Sequence, residues 1–410
     1  MKSEIDGSVK APASKSMMIR AVAAAALAEG KSTITNPSLC EDGLAAIACA
    51  RELGARIAVR EDCVTVEGGI RMKRGVLDCG ESGLCIRMLA PIVAAIDGNF
   101  TLTGRGSLLK RQMGMMQQPL EELGAKCSTN NGMPPVKVQG QMRGEEIEID
   151  CSQSSQFLTG LLMALPLCDK DSLVRVKNLK SKPYVKMTLE LLREFEIAVT
   201  ADWQLGEFAI KGGQHFKPAD YEVEGDWSGA AFLLVAGAIA GKVEVRGLRN
   251  DSLQGDKAIV EALKKAGAKV KLSSDAVTVG SAPLSSFEFD ATDCPDLFPP
   301  LAVLACNCKG TSRIWGAERL KGKESDRGAA LASELGELGA EIAVRGDEML
   351  VAGTRLRGGV KVDSHNDHRI AMACAVAALK CEGGVEIGNA ECVSKSYPRF
   401  FHDLDSLRVG

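Results

Sequence analysis

The sequence predicts an α/β protein built from six β-α-β-α-β-β units, arranged three and three in two domains. Two recurring phrases carry this reading. The first is a helix end, then Leu-Gly-Ala or a near relative, then an alternating strand. It occurs at Glu52–Ile57, Glu122–Lys126, Glu194–Val199, Lys265–Val270 and Glu337–Ile342. Its central positions, Gly54, Gly124, Glu196, Gly267 and Gly339, are 70, 72, 71 and 72 residues apart. A glycine there suits a helix C-cap, because it takes the left-handed conformation without a Cβ clash. The second phrase is a turn, a β-rich strand and a polar loop. Its copies begin at Gly30, Gly98, Lys170, Gly241, Gly310 and Gly384. Two phrases sharing one period define a structural repeat.

Composition fits this architecture. A chain of 410 residues exceeds one comfortable core, so two domains are expected. Apolar residues make up 45% and aromatics 4%, so the cores are aliphatic. The net charge of -3 argues against a general nucleic-acid or membrane-surface binder. The 14 cysteines are scattered without a C-x-x-C pair, which reads as buried free thiols of a reducing cytoplasm. No signal peptide opens the chain, and the apolar run Ala21–Ala28 is too short to span a membrane.

Each unit offers two helices, with starts near Met17, Asp42, Gly83, Gln112, Gln156, Tyr184, Ser228, Lys257, Leu297, Ser325, Arg369 and Pro398. Ser16, Asp256, Asp296 and Asp367 stand in N-cap positions before their helices.

In chain order, Lys15, Ser16 and Arg20 cluster at the first helix start. Cations there oppose the helix dipole, which calls for an anion to compensate them. Gly30-Lys31-Ser32 lacks the rest of a P-loop, and follows a helix rather than a strand. Gly80–Gly83 opens a helix carrying Arg87, and its glycines permit close approach of a ligand. Lys110 and Arg111 occupy the repeat position matched by Lys321–Lys323. Ser152–Gln156 places hydroxyls and amides before an apolar helix, as a phosphate cradle or a plain cap; Ser181–Tyr184 repeats the theme. Asp226 and Asp296 precede helices, and Asp296 is also a candidate base. Gly310–Arg327 runs from a strand into Lys323-Glu324-Ser325-Asp326-Arg327, two cations and carboxylates at a helix mouth. His365 and His368 lack further metal ligands at suitable spacing, so no metal is expected. Lys395 ends the last polar loop. The shared address of these residues, the loop before a helix, implies a site for substrates with several phosphate or carboxylate groups.

Several runs resemble the EPSP synthase (3-phosphoshikimate 1-carboxyvinyltransferase) family of enolpyruvyl transferases: Ser14–Ser16 with Arg20, Lys110-Arg111, Ser154–Thr159, Ser181–Tyr184, Glu224–Asp226, Lys323–Arg327, Asn366–Arg369 and Lys395. The resemblance implies a two-domain inside-out barrel of six βαβαββ repeats, three per domain around a pseudo-threefold axis. It implies one domain over residues 14–223 and a second over 1–13 plus 224–410, with the active site in the interdomain cleft. The implied reaction moves the enolpyruvyl group of phosphoenolpyruvate to the 5-hydroxyl of shikimate 3-phosphate, on the route to chorismate and aromatic amino acids.

Site residues follow by motif. Asp296, Glu324 and Lys15 are the implied catalytic residues. Shikimate 3-phosphate is expected at Lys15, Ser16, Arg20, Ser154, Ser155, Gln156, Ser181, Asp296 and Lys323. Phosphoenolpyruvate is expected at Lys15, Gly83, Arg111, Gln156, Arg327, Arg369 and Lys395. No cofactor, metal, nucleic acid or membrane partner is implied, and the family suggests a cytoplasmic monomer that closes over its substrates. The chain departs from the usual pattern at Glu81, Leu84 and Met88, which implies altered phosphoenolpyruvate and glyphosate binding. The alternative is the sister UDP-N-acetylglucosamine enolpyruvyl transferase. Most of its members carry a Cys in the loop corresponding to Gly104–Arg111, where this chain has none.

Overall fold

The computed structural model describes residues 4–409. Among them are twelve α-helices: α1 (Lys15–Leu27), α2 (Glu41–Glu52), α3 (Gly83–Ala94), α4 (Gln117–Glu122), α5 (Gln156–Ala164), α6 (Lys182–Glu194), α7 (Trp227–Ala240), α8 (Ile259–Lys265), α9 (Phe298–Cys306), α10 (Arg327–Glu337), α11 (His368–Ala378) and α12 (Phe400–Ser406).

The second sequence phrase forms the central strand of each repeat: Lys31–Thr35, Gly98–Thr103, Ser172–Lys177, Gly241–Arg246, Thr311–Trp315 and Val385–Gly388. Four of them lie parallel to the strand that precedes their own repeat's first helix; Lys31–Thr35 and Gly241–Arg246 each pair parallel with the strand that precedes the other's. The first five also pair antiparallel with the far arm of a hairpin, giving four-stranded sheets. The sixth comprises the two strands Val360–Asp363 and Val385–Gly388 with α11 and α12. The Leu-Gly-Ala phrase forms the joint from the second helix into that hairpin, and Gly54, Gly124, Gly267 and Gly339 all have positive φ.

Contacts divide the chain into two units, Ala13–Val223 and Met1–Pro12 with Glu224–Gly410. Strand pairing shows how the chain achieves this. The strand Ile5–Lys10, which leads into α1, pairs with Gly241–Arg246 of the discontinuous unit. Its place beside Lys31–Thr35 is taken by Asp220–Glu222, which leads into α7.

Within each unit the first helix of every repeat is the buried one. Every residue of α3 and α9 is buried, and so is all of α7 except its last residue. A helix apolar all round must be covered on all sides, and the surrounding sheets and second helices cover it. The second helices are amphipathic by comparison: α6 and α10 bury one face only.

Local chemistry corrects several sequence expectations. Ser14, not Ser16, caps α1: its hydroxyl accepts from the Met17 N–H at 3.4 Å, and Ser16 lies inside the first turn. Asp256 and Asp296 lie within 3-10 turns, Gly255–Ala258 and Pro295–Leu297, instead of capping α8 and α9. The helix expected near Gln112 starts at Gln117, after a 3-10 turn at Gly114–Met116. Asp226, Asp326 and Asp367 do cap α7, α10 and α11. All 14 cysteines are free, and only Cys63 is not buried. Among the described residues no helix is long and apolar enough to cross a membrane.

Candidate active site

In the unit Ala13–Val223, Arg20 is buried on α1 and ties three helix starts together. Its Nη1 donates to the Ser16 carbonyl at 2.8 Å, and its Nε to Thr188 Oγ1 of α6 at 3.0 Å. Nη2 reaches Thr159 Oγ1 of α5 and the Tyr184 carbonyl, both at 3.4 Å. These partners are neutral oxygens. Burial alone pulls the guanidinium down to about 10. A desolvated cation bonded to neutral groups keeps its full attraction for an anion.

The serines stand at the helix starts that Arg20 links. Ser155 is buried immediately before α5, and Ser154 Oγ accepts from the Gln156 N–H at 3.2 Å. Ser181 precedes α6 in the left-handed conformation, φ 58°, which places its hydroxyl and N–H at the helix mouth. Lys15 is the first residue of α1, with Nζ 3.0 Å from Asp42 Oδ2 on α2. The sequence marked Asp42 only as a helix start, so this pairing is new.

Gly83 and Arg111 explain each other. A Cβ at Gly83 would lie 2.6 Å from Arg111 Nη1 and 2.7 Å from Cζ. The buried guanidinium therefore lies across the first residue of α3, and only glycine leaves it room. Arg87 donates from Nη1 to Gln156 Oε1 at 2.9 Å and from Nη2 to the Gln112 carbonyl at 2.9 Å. Because the Gln156 oxygen accepts from Arg87, the amide nitrogen is the end presented elsewhere. Glu81 accepts from the Ser107 N–H at 2.8 Å and from its hydroxyl at 2.7 Å, pinning the loop that leads to Arg111.

The other unit is built around acid–base pairs. Arg327, 1% exposed at the start of α10, donates from Nη1 to Asp296 at 2.7 Å, from Nη2 to Glu324 at 2.5 Å and from Nε to Asp367 at 2.8 Å. Burial pulls this guanidinium down, but Asp367, Glu324 and Asp296 outweigh it and raise it above the ordinary arginine value. Asp296 also meets Lys323 at 3.3 Å and Arg369 Nη2 at 3.0 Å, so one carboxylate gathers three cations. The Arg369 Nε and Nη1 are buried without a hydrogen-bond partner among the described residues. Burial of Lys323, only partly offset by Asp296, lowers its ammonium to about 8. Lys395 donates to the Asn366 carbonyl at 2.6 Å, placing it beside the cap of α11.

The structure thus places Lys15, Ser16, Arg20, Gly83, Arg111, Ser154, Ser155, Gln156 and Ser181 at or beside helix starts of one unit. It places Asp296, Lys323, Glu324, Arg327, Arg369 and Lys395 together in the other. Sequence reasoning did not find Thr159, Thr188 and Asp42 as partners, and saw Asp367 only as a cap. Repeated βαβαββ units with cations and hydroxyls gathered at helix starts define a two-unit α/β protein suited to anionic ligands.

The comparisons with known proteins narrow this. The family model for EPSP synthase (3-phosphoshikimate 1-carboxyvinyltransferase) matches residues 1–404, and the chain belongs to that family. It is 40% identical over 418 residues to the 3-phosphoshikimate 1-carboxyvinyltransferase of Clostridium beijerinckii, covering 98% of this chain and 95% of that protein. The protein of the same name from Methanocorpusculum labreanum is 38% identical, with 99% and 97% covered. Among solved structures, EPSP synthase from Acinetobacter baumannii superposes with a TM-score of 0.83 at 26% identity, covering 100% of this chain and 97% of that one. The enolpyruvyl transferase NikO from Streptomyces tendae shares the fold, with a TM-score of 0.77 at 19% identity over 99% and 95% of the two chains.

Proposed function

We propose that this chain transfers the enolpyruvyl group of phosphoenolpyruvate to the 5-hydroxyl of shikimate 3-phosphate and releases phosphate. The observation that carries the site assignment is the ionic cluster in which Arg327 bridges Asp296, Glu324 and Asp367. It puts two carboxylates of the implied proton chemistry on one guanidinium, within a family whose reaction needs one proton removed and one delivered.

In this reading Ser154, Ser155 and Ser181 hold the phosphate of shikimate 3-phosphate, and Arg20 holds its carboxylate. Ser16, Gln156, Lys15 and Lys323 complete that subsite. Lys15, Gly83, Arg111, Gln156, Arg327, Arg369 and Lys395 receive phosphoenolpyruvate. Each set takes residues from both units, so this reading includes closure of the units over the substrates. Closure excludes water and strengthens every ionic contact.

Phosphoenolpyruvate competes with Asp296 for Arg327 and Arg369. As its phosphate and carboxylate take those cations, Asp296 is freed to accept the 5-hydroxyl proton. The hydroxyl oxygen bonds to C2 of phosphoenolpyruvate while Glu324 protonates the methylene carbon, giving a tetrahedral adduct. Glu324, left as a carboxylate, then takes back a methyl proton while the bond from C2 to the phosphate oxygen breaks, which releases phosphate and restores the double bond. Cations around the phosphate stabilise the leaving group. Lys15 joins the proton traffic in this proposal, with Asp42 holding it in position.

The same reading includes a cytoplasmic monomer without nucleic-acid or membrane partners, supported by the family resemblance and the net charge of -3. Size-exclusion chromatography tests the monomer, and a dimer would refute it. It also includes an altered response to glyphosate, because Glu81, Leu84 and Met88 depart from the usual pattern and Glu81 puts a carboxylate in the loop between Gly80 and Gly83; inhibition matching that of a relative with the usual loop removes this part. The decisive experiment measures phosphate released from phosphoenolpyruvate with shikimate 3-phosphate and a chelator. Phosphate release dependent on both substrates is expected. Release only with UDP-N-acetylglucosamine as acceptor would overturn the assignment.

A further inference from the structure

Three cysteines that play no part in the proposed reaction meet in the interior of the unit Ala13–Val223. Cys49 lies near the end of α2, Cys79 directly after the strand Arg74–Asp78, and Cys85 in the first turn of α3. They are 1%, 0% and 0% exposed, and their Sγ atoms all lie within 4.8 Å of one another. No other such group of His, Cys, Asp or Glu occurs among the described residues. The remaining cysteines behave as ordinary small apolar side chains, whereas these three come from separate elements and point their sulfurs at one spot.

We propose that Cys49, Cys79 and Cys85 form a three-coordinate thiolate site for a soft, thiophilic cation, and that an ion there clamps the turn Gly80–Gly83. Three sulfurs held at roughly 2.3 Å from a metal in one plane stand about 4 Å apart, so the observed spacing needs less than about 1 Å of contraction. An all-sulfur donor set selects soft ions over magnesium, calcium or manganese.

The surroundings supply what such a site needs. All three thiols release their protons to solvent as a divalent ion binds. Three thiolates around a divalent ion leave one net negative charge. Cys85 sits in the first turn of the 12-residue α3, where the helix dipole favours that charge. Two of the ligands flank the turn: Cys79 precedes Gly80, and the Cys85 N–H donates to Ser82 Oγ, the cap of α3, at 3.4 Å. The three sulfurs are not among the proposed substrate contacts, and the test does not depend on the proposed reaction.

The experiment titrates the full-length, reduced protein with cadmium ion alone. It follows sulfur-to-metal charge-transfer absorption and the thermal unfolding temperature. One equivalent should give a saturable band and a rise in unfolding temperature. Cys49→Ser, Cys79→Ser and Cys85→Ser should each weaken binding at least tenfold, and the triple variant should lose the band. Cys127→Ser, a buried cysteine elsewhere in the same unit, should keep it. Should a single serine variant fail to fold, Cys49→Ala serves instead. Absence of the band in the parent protein, or an equal band in the triple variant, overturns the proposal.

Discussion

The two units handle buried cations in opposite ways. Arg20 is surrounded by hydroxyl and carbonyl oxygens, and burial depresses it. Arg327 is equally buried but bonded to three carboxylates, which raise it. A cation bonded to neutral groups waits for a ligand's charge. A cation paired with resident acids holds the structure together and exchanges partners when a ligand arrives. The first suits a subsite that binds; the second suits one that must also move protons.

Replacing each arginine breaks the comparison most directly. Arg327→Met takes the guanidinium away from Asp367, which is fully buried, and from Asp296 and Glu324. A loss of about 3–5 kcal/mol in unfolding free energy is expected, with turnover abolished. Arg20→Met removes an uncompensated buried charge and should cost less than about 2 kcal/mol, because hydrophobic replacement of a buried ion is often near neutral. It should nevertheless abolish measurable binding of shikimate 3-phosphate. Denaturant titration of both variants checks the contrast; equal destabilisation would refute it.

Glu324→Gln keeps the size of the side chain and removes its acid function. We expect kcat to fall by about 10²–10⁴-fold, while shikimate 3-phosphate still binds in calorimetry. Undiminished phosphate release would remove Glu324 from proton transfer.

Gly83→Ala tests the cation in the other unit. The added Cβ would displace the Arg111 guanidinium. The KM for phosphoenolpyruvate should rise about 10–100-fold, corresponding to ~1.4–2.8 kcal/mol, with the KM for shikimate 3-phosphate little changed. A parallel rise in both constants would mean general damage to α3.

The smallest effect is a pH dependence. In the free protein Lys323 loses its proton near pH 8, below its value in the unfolded chain. Between about pH 8 and 10.5 the unfolded chain therefore binds more protons, so this group makes folding stability rise with pH there. Affinity for the anionic substrate moves the other way and should weaken across the same window. Lys323→Met should flatten that part of the binding profile; an unchanged profile would exclude Lys323 as its cause.

The repeat was legible because it is written in short-range signals. A Gly at the helix end and alternation in the strand each act over a few residues. Twelve helix starts and six central strands could therefore be placed from local pattern, with the largest error at Gln117, where 3-10 turns delay the helix. The cap assignments fared less well. Whether an aspartate binds helix N–H groups or cations depends on what the fold brings near it. Asp367 does both, while Asp296 pairs with Lys323, Arg327 and Arg369.

The sequence by itself determined six similar units, two helices in each, and polar residues concentrated at helix starts. These follow from periodicity, apolar content and turn chemistry, all local in the chain. Only the tertiary structure decided the partners. Arg20 meets Thr188 across 168 residues, Arg327 meets Asp367 across 40, and Cys49 meets Cys79 and Cys85 from separate elements. Electrostatic and ligand chemistry falls off over a few ångströms in space, and distance along the chain does not encode that separation until packing sets it.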